Sequence, residues 1–326
     1  LEEAVIPQAS TIDPEKIRKE LSELWITMGK EKDVDSGVLR ACSMTLIAAV
    51  DEAEDPMAIG ETLAMLMREH PSRAIVVRVR DSEEQYLSSQ VLAQCWMPFG
   101  NRRQICCEQV EIVAATVSLD DLPAVLLPLT VADLPVVLWA RSAAGIGALK
   151  GIAGKIIVDS SILGGLHGVQ NLSRTNRVGD LAWARLTRWR ELIAQIFENK
   201  CYLAELPGLT RVRITFAGRR PATSAFYLAA WLNRGEVVWE PGAQSAVALE
   251  NAAGEVHTRI SLIGGAMSGE SSGESIRVNV KGHITHAVFP EPSDYTMLRE
   301  ELSIAGRDPV FESVLPRALR LSEDFL

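Results

Sequence analysis

Several groups of side chains have the types and spacing for chemistry. Gly218-Arg219-Arg220-Pro221 precedes a run with helical spacing from Ala222 to Asn233. Arg219 and Arg220 beside the free amides of a helix start would seat a phosphate or carboxylate, and the same residues also suit an exposed strand-to-helix turn. Asp159, Ser160 and Ser161 end a short apolar run. Side chains past the strand ends of an α/β sheet gather around ligand clefts, and Asp-Ser-Ser is equally ordinary turn chemistry. Cys95 and Cys106 fall opposite each other if Gly100-Asn101 makes a two-residue hairpin turn, either as small packed thiols or as a reversible redox pair. His283 and His286 lie three apart in an extended run and face opposite sides, which argues against a metal site.

The densest group is Asp180, Trp183, Arg185, Arg188 and Arg190 in V-G-D-L-A-W-A-R-L-T-R-W-R-E-L-I-A-Q-I-F-E (178–198). Asp180 suits an N-cap and Asn199 a closing residue, so the spacing predicts one continuous helix with Leu186, Trp189, Leu192, Ile193, Ile196 and Phe197 on its apolar arc. Arg185 interrupts that arc one turn before Trp189, within reach of its indole. Neither G-x-G-x-x-G nor G-x-x-x-x-G-K-[ST] spacing occurs, and no nucleophile–base pair, metal cluster or carboxylate pair is assembled by a local motif.

The elements that must position these groups alternate. Helical spacing predicts Ile12–Met28, capped by Asp13 and Pro14, then a strand over Val38–Val50, a helix over Pro56–Glu69 and a strand over Ala74–Val79. Two extended runs fill Leu87–Ala115. Asp121–Thr130 reads as helix, 133–139 as a buried strand, Ala143–Ala153 as helix and Lys155–Asp159 as strand. Residues 163–179, rich in Gly, Asn, Ser and Arg, read as a long loop and domain boundary. Beyond the Trp/Arg helix come a half-buried strand, Arg211–Phe216, short antiparallel strands from Glu236 to Phe289 with a loop at 268–273, and two closing helices. The expected class is α/β: a mostly parallel sheet in residues 1–170 and an α+β half with antiparallel strands in 171–326.

At 326 residues, 47% hydrophobic and 23% charged, the chain has the composition of a globular protein with room for two domains. Its net charge of −9 argues against nucleic-acid binding. Five cysteines without a C-x-x-C pair suit a reducing compartment, and the lack of a long apolar run argues against a membrane. The start, L-E-E-A-V-I-P, shows no signal segment, so a cytoplasmic location is expected. Between Arg174 and Arg220, nine Arg and one Lys face Asp180, Glu191, Glu198 and Glu205, a local excess that would attract an anionic ligand or an acidic partner.

The run D-L-A-W-A-R-L-T-R-W-R resembles a segment of the glucose-6-phosphate dehydrogenase assembly proteins, the OpcA family. R-A-C-S-M-T-L (40–46), H-P-S-R-A-I-V-V (70–77), C-C-E-Q-V-E-I (106–112), D-L-P-V-V-L-W (133–139), I-I-V-D-S-S (156–161) and the wording of the carboxyl end resemble the same family in the same order. The resemblance implies a non-catalytic assembly factor and allosteric activator that binds glucose-6-phosphate dehydrogenase in the oxidative pentose phosphate pathway, with no cofactor. It also implies that Asp180, Trp183, Arg185, Arg188 and Arg190 serve that partner. Cyanobacterial relatives are linked to thioredoxin control, which the resemblance does not assign to particular cysteines. The residues alone leave a second reading open, a sugar-phosphate enzyme or sensor using the Arg-rich segment and residues 159–161.

Overall fold

The computed structural model describes residues 12–30, 38–40, 42–96, 104–268, 271–304 and 306–325. Its elements begin with α1 (Pro14–Lys30), β1 (Val38–Arg40), β2 (Met44–Asp51), α2 (Pro56–Glu69), β3 (Ser72–Arg80), β4 (Leu87–Trp96) and β5 (Gln104–Ala115). There follow α3 (Leu122–Leu126), β6 (Val136–Ala140), α4 (Ala143–Leu149), β7 (Lys155–Val158), α5 (Leu166–Ser173) and β8 (Arg177–Asp180). Next come α6 (Leu181–Ala184), α7 (Thr187–Glu198), α8 (Lys200–Glu205), β9 (Leu209–Phe216), α9 (Thr223–Leu232) and β10 (Glu236–Pro241). The chain continues through β11 (Ala246–Asn251), β12 (Val256–Ser268), β13 (Ser271–Val280), β14 (His283–Pro290), α10 (Asp294–Ser303) and α11 (Pro309–Asp324).

The described chain divides into two compact units. One holds the residues up to Ile162 with Leu172–Gly179 and Glu301–Ser303; the other holds Leu163–Asn171, Asp180–Glu300 and the residues from Ile304 on. The first sheet runs β1-β5-β3-β2-β6-β7-β8, with β4 also paired to β5. The pairs β1–β5, β3–β5, β2–β3, β2–β6 and β6–β7 are parallel, and β4–β5 is antiparallel. The second sheet runs β10-β9-β11-β12-β13-β14, antiparallel except for β9–β10. This is the α/β class expected, mostly parallel in one sheet and antiparallel in the other.

Local chemistry explains the elements. Met44–Val50 is buried without a break, as a central parallel strand covered on both faces must be. The Asp55 carboxylate caps α2 from the Met57 amide at 2.9 Å, Pro56 opens the helix, and Ile59, Leu63, Leu66 and Met67 form its inner face. In β9 the alternation is real: Val212, Ile214 and Phe216 are buried. Outward-facing Arg213 forms a bidentate pair with buried Glu250 at 2.7 and 3.2 Å.

Five expectations require correction. The run Val38–Val50 is two strands, since β1 pairs with β5 while β2 pairs with β3 and β6. Residues 163–179 hold α5 and β8, because Leu166, Val169 and Leu172 give the Gly- and Asn-rich stretch one buried helical face. The Trp/Arg helix breaks at Arg185 and Leu186, where the Leu186 amide turns back to the Trp183 carbonyl, and Asn199 caps α8 at its start, accepting from the Cys201 amide at 2.9 Å. Residues 122–130 are a short α-helix with Pro123 in its first turn, followed by a 3-10 turn that opens with Leu127 and Pro128. At 268–273, strands β12 and β13 pair as far as Ser268 opposite Ser271. The Gly100-Asn101 turn lies outside the described residues.

Helix α4 offers two glycines with opposite environments. A Cβ on Gly145 would come within 2.7 Å of the Ala49 Cβ on β2, whereas one on exposed Gly147 meets nothing within 4 Å. Gly145→Ala should therefore cost roughly 1–3 kcal/mol by forcing helix and strand apart. Gly147→Ala should stabilise by about 0.5–1 kcal/mol through the lower backbone entropy of the unfolded chain. Urea denaturation of the two variants checks both signs.

Candidate functional site

Asp180 ends β8, caps α6 and is wholly buried. Its carboxyl accepts from the Ala182 amide at 2.9 Å and from the Tyr227 hydroxyl of α9 at 2.8 Å. Trp183 lies behind it, buried, with Tyr227 edge-on at 5.9 Å between ring centroids and Phe311 tilted at 6.0 Å. The indole N–H donates to Asp308 Oδ2 at 3.2 Å, while Asp308 Oδ1 takes the Val310 and Phe311 amides, each at 2.9 Å, and so caps α11.

The break in the helix serves this cluster. In an unbroken helix Trp183 and Arg190 would stand about 10 Å apart along the axis. In the structure the Arg190 guanidinium lies 3.6 Å above the Trp183 ring, a cation–π contact that spacing did not suggest. Arg190 Nη2 also donates to Thr187 Oγ1 at 2.8 Å, and the Thr187 hydroxyl donates to Glu300 at 2.7 Å. Asp180, Trp183 and half-buried Arg190 thus shape the segment from within. Arg185 and Arg188 are exposed, Arg188 paired with Glu191 at 2.9 Å.

The other candidates are dispersed. Asp159 Oδ1 accepts from the Ser161 amide at 3.0 Å in a local turn, Ser160 is wholly buried, and all three belong to the first unit. Arg219 and Arg220 are exposed on the turn into α9 in the second unit, after Gly218 with φ +91°. Arg220 lines a cavity of about 190 Å³ with Gly164, Gly165 and His167, and the His167 imidazole lies 3.4 Å from Glu323. Backbone register sets Cys95 against Cys106 on β4 and β5. Next to them Cys107 is buried, and that burial pushes its thiol up to about 11. His283 and His286 are exposed on β14. Among the described residues no group of three or more His, Cys, Asp or Glu is placed to hold a metal ion.

Ion pairs occupy the far end of the parallel strands, where ligands commonly sit. Arg78 meets Glu111 at 2.5 Å, Arg80 holds Glu52 at 2.7 and 2.5 Å, and Arg141 pairs with Glu54. The Arg80 guanidinium draws the Glu52 carboxyl below its ordinary range. One feature escaped the sequence reading: Glu274 projects into an apolar cavity of the second unit. Its signal was the alternation Glu274, Ile276, Val278, Val280, which sets a carboxyl on the buried face of a strand.

Residues 64–174 match the model of the glucose-6-phosphate dehydrogenase subunit N-terminal domain, and residues 176–315 match that of the C-terminal domain. The matches take in about three quarters of the chain, which belongs to the OpcA family of glucose-6-phosphate dehydrogenase assembly proteins. Two curated relatives, each called "Putative OxPP cycle protein OpcA", come from Synechocystis sp. and Nostoc punctiforme. The first is 26% identical over 196 residues, 56% of this chain and 40% of that protein; the second is 26% identical over 185 residues, 53% and 39%. The chain therefore spans well under two thirds of the length of these relatives. Among solved structures, a mutant of KijD10, a 3-ketoreductase from Actinomadura kijaniata, superposes with TM-score 0.45 at 8% identity over 86% of this chain and 96% of its own. A super-repressor mutant of Gal80p from Saccharomyces cerevisiae gives TM-score 0.43 at 8% identity over 86% and 94%. No helix among the described residues is long and apolar enough to cross a membrane.

Two predictions follow from the geometry of the Asp180 cluster and of the cysteines. Tyr227→Phe removes a buried donor to Asp180 while keeping the ring, and should cost about 1–3 kcal/mol in urea denaturation. In the native protein near pH 8, a maleimide should label exposed Cys201 and spare Cys107, whose thiolate is then about one part in a thousand. Peptide mapping should find Cys107 labelled only after denaturation.

Proposed function

We propose that the chain binds glucose-6-phosphate dehydrogenase, assists its assembly and biases it toward its active form, without catalysis of its own, in the cytoplasmic oxidative pentose phosphate pathway. The observation that carries this reading is the match of both halves of the chain to domains described as a subunit of that enzyme. An activator of this kind must bind the active arrangement of its partner more tightly than the inactive one, since only differential affinity moves such an equilibrium. Arg185 and Arg188, exposed on the segment that Asp180, Trp183 and Arg190 hold in shape, supply the contact surface. Their charge suits an acidic face of the enzyme.

A second reading, a sugar-phosphate enzyme or sensor, draws on the cavity beside Arg220 and His167. One preparation separates the two. The cognate dehydrogenase is co-purified with the chain and assayed with and without it, and the chain alone is titrated with glucose 6-phosphate. Under the first reading, combined Arg185→Glu and Arg188→Glu raises the half-activating concentration by about tenfold or more, and added salt weakens the parent too. For Arg188→Glu alone the melting temperature should barely move, because the Arg188–Glu191 pair is exposed. Activation that ignores both substitutions at low and high salt would place the contact elsewhere, and turnover or saturable binding of glucose 6-phosphate that is lost in Arg220→Ala would favour the second reading.

A further inference from the structure

The second sheet ends in two edge strands of opposite character, β10 and β14. Strand β10 carries Glu236 and Glu240 and ends on Pro241, charges and a proline of the kind that keep a sheet edge from pairing. Strand β14 reads H-I-T-H-A-V-F-P, without an Asp, Glu, Lys or Arg, and its proline stands at the last position. It pairs with β13 on one side, and along its other side the outward amides and carbonyls meet no strand among the described residues. Register sets Ile284, His286 and Val288 beside Asn279, Arg277 and Ser275, on the face opposite the one that buries Ile276 and Val278. Ile284 and Val288 are 56% and 60% exposed there, two large apolar side chains on an open edge without the usual protection.

We propose that β14 pairs antiparallel with β14 of a second copy of this chain, about a two-fold axis at His286, joining two six-stranded sheets edge to edge. Outward-pointing backbone groups recur at every second residue, so a two-fold antiparallel pair must be centred on a residue. Centred on His286, the strands pair from His283 to Phe289, and Ile284 of each copy meets Val288 of the other. Moved one residue either way, the axis would set Ile284 against His286 or Pro290. Only the His286 register matches both exposed apolar side chains with apolar partners, and this self-complementarity makes a second copy the occupant. The missing charges serve the same end, because like charges directly opposite each other would break such a pair. Arg277, beside His286 on β13, stays three strand spacings from its copy, roughly 14 Å and beyond the Debye length at physiological salt. Two strands alone cover less than the ~1,200 Å² of a standard interface, so the dimer is weak and depends on concentration. None of these residues belongs to the proposed dehydrogenase contact, and the pairing stands apart from that reading.

The test is sedimentation equilibrium of the full chain near pH 8. The parent should pass from monomer to dimer with half-dissociation at roughly 10–100 µM. Ile284→Lys, His286→Lys and Val288→Lys put a charge into the junction and should each raise that concentration about tenfold or more, with little change in the melting temperature of the dilute protein, since all three side chains are exposed. Met57→Lys, at an exposed apolar side chain of α2, should leave the dimer unchanged. In a Cys201→Ser background, His286→Cys should be oxidised by diamide to a disulfide with its own copy, whereas the background alone and Arg277→Cys should not be linked. A chain that stays monomeric at about 200 µM overturns the proposal. So does a dimer that Val288→Lys leaves intact, that Met57→Lys dissociates, or that diamide fails to link through position 286. Dehydrogenase activation measured in the same preparation separates the two readings: activation by a chain that never dimerises sinks the pairing alone, and dimerisation without activation sinks the partner reading alone.

Discussion

A carboxyl group that is completely removed from water must find hydrogen-bond donors inside the protein, and Asp180 is that group here. Donors to it come from the first turn of α6 and from the middle of α9, which fixes where α6 begins and how α9 lies beside it. Trp183, three residues on, is thereby committed to the interior, and its indole N–H in turn needs an acceptor, which Asp308 provides. Because Asp308 also caps α11, one chain of obligatory hydrogen bonds sets the starts of two helices and the placement of a third. The cation stacked on Trp183 then requires α6 and α7 to part.

This dependence explains what the sequence did and did not disclose. Local signals were sufficient for elements such as α2 and β9. Asp55, Pro56 and the Ile59–Leu63–Leu66–Met67 stripe delimit α2, and alternation delimits β9. The break after Ala184 could not be read in this way, because an amphipathic wheel drawn through 181–198 is nearly as good as the broken helix. What decides between them is the stacking of Arg190 on a ring held by Tyr227 and Phe311, residues far along the chain. The Gly- and Asn-rich composition of 163–179 hid α5 for a related reason. Its helical face consists of only Leu166, Val169 and Leu172, and packing with the rest of the fold overrides weak local preference.

The site residues show the same division. Asp180, Trp183, Arg185, Arg188 and Arg190 all stood out in the sequence, but charge and residue type did not separate those that face inward from those that face water. The basic excess between Arg174 and Arg220 is likewise partly consumed within the fold, since Arg211 meets Glu236 at 2.8 Å and Arg213 grips Glu250. Glu236 and Glu250 lie outside that sequence window, so a count along the chain overstates the field that a partner would meet.

The register that places β2 between β3 and β6 sets Thr45 beside Val136. During synthesis, the buried strand β2 therefore emerges from the ribosome long before the neighbour that will cover one of its edges. Pairing across such a separation is slow, and the unpaired edge of Met44–Val50 is a template for association with other nascent chains while it waits. The second sheet carries less of this burden, because β11 to β14 pair in the order in which they are made. The two halves of the chain thus differ in their need for protection by chaperones, and the half made first needs more of it.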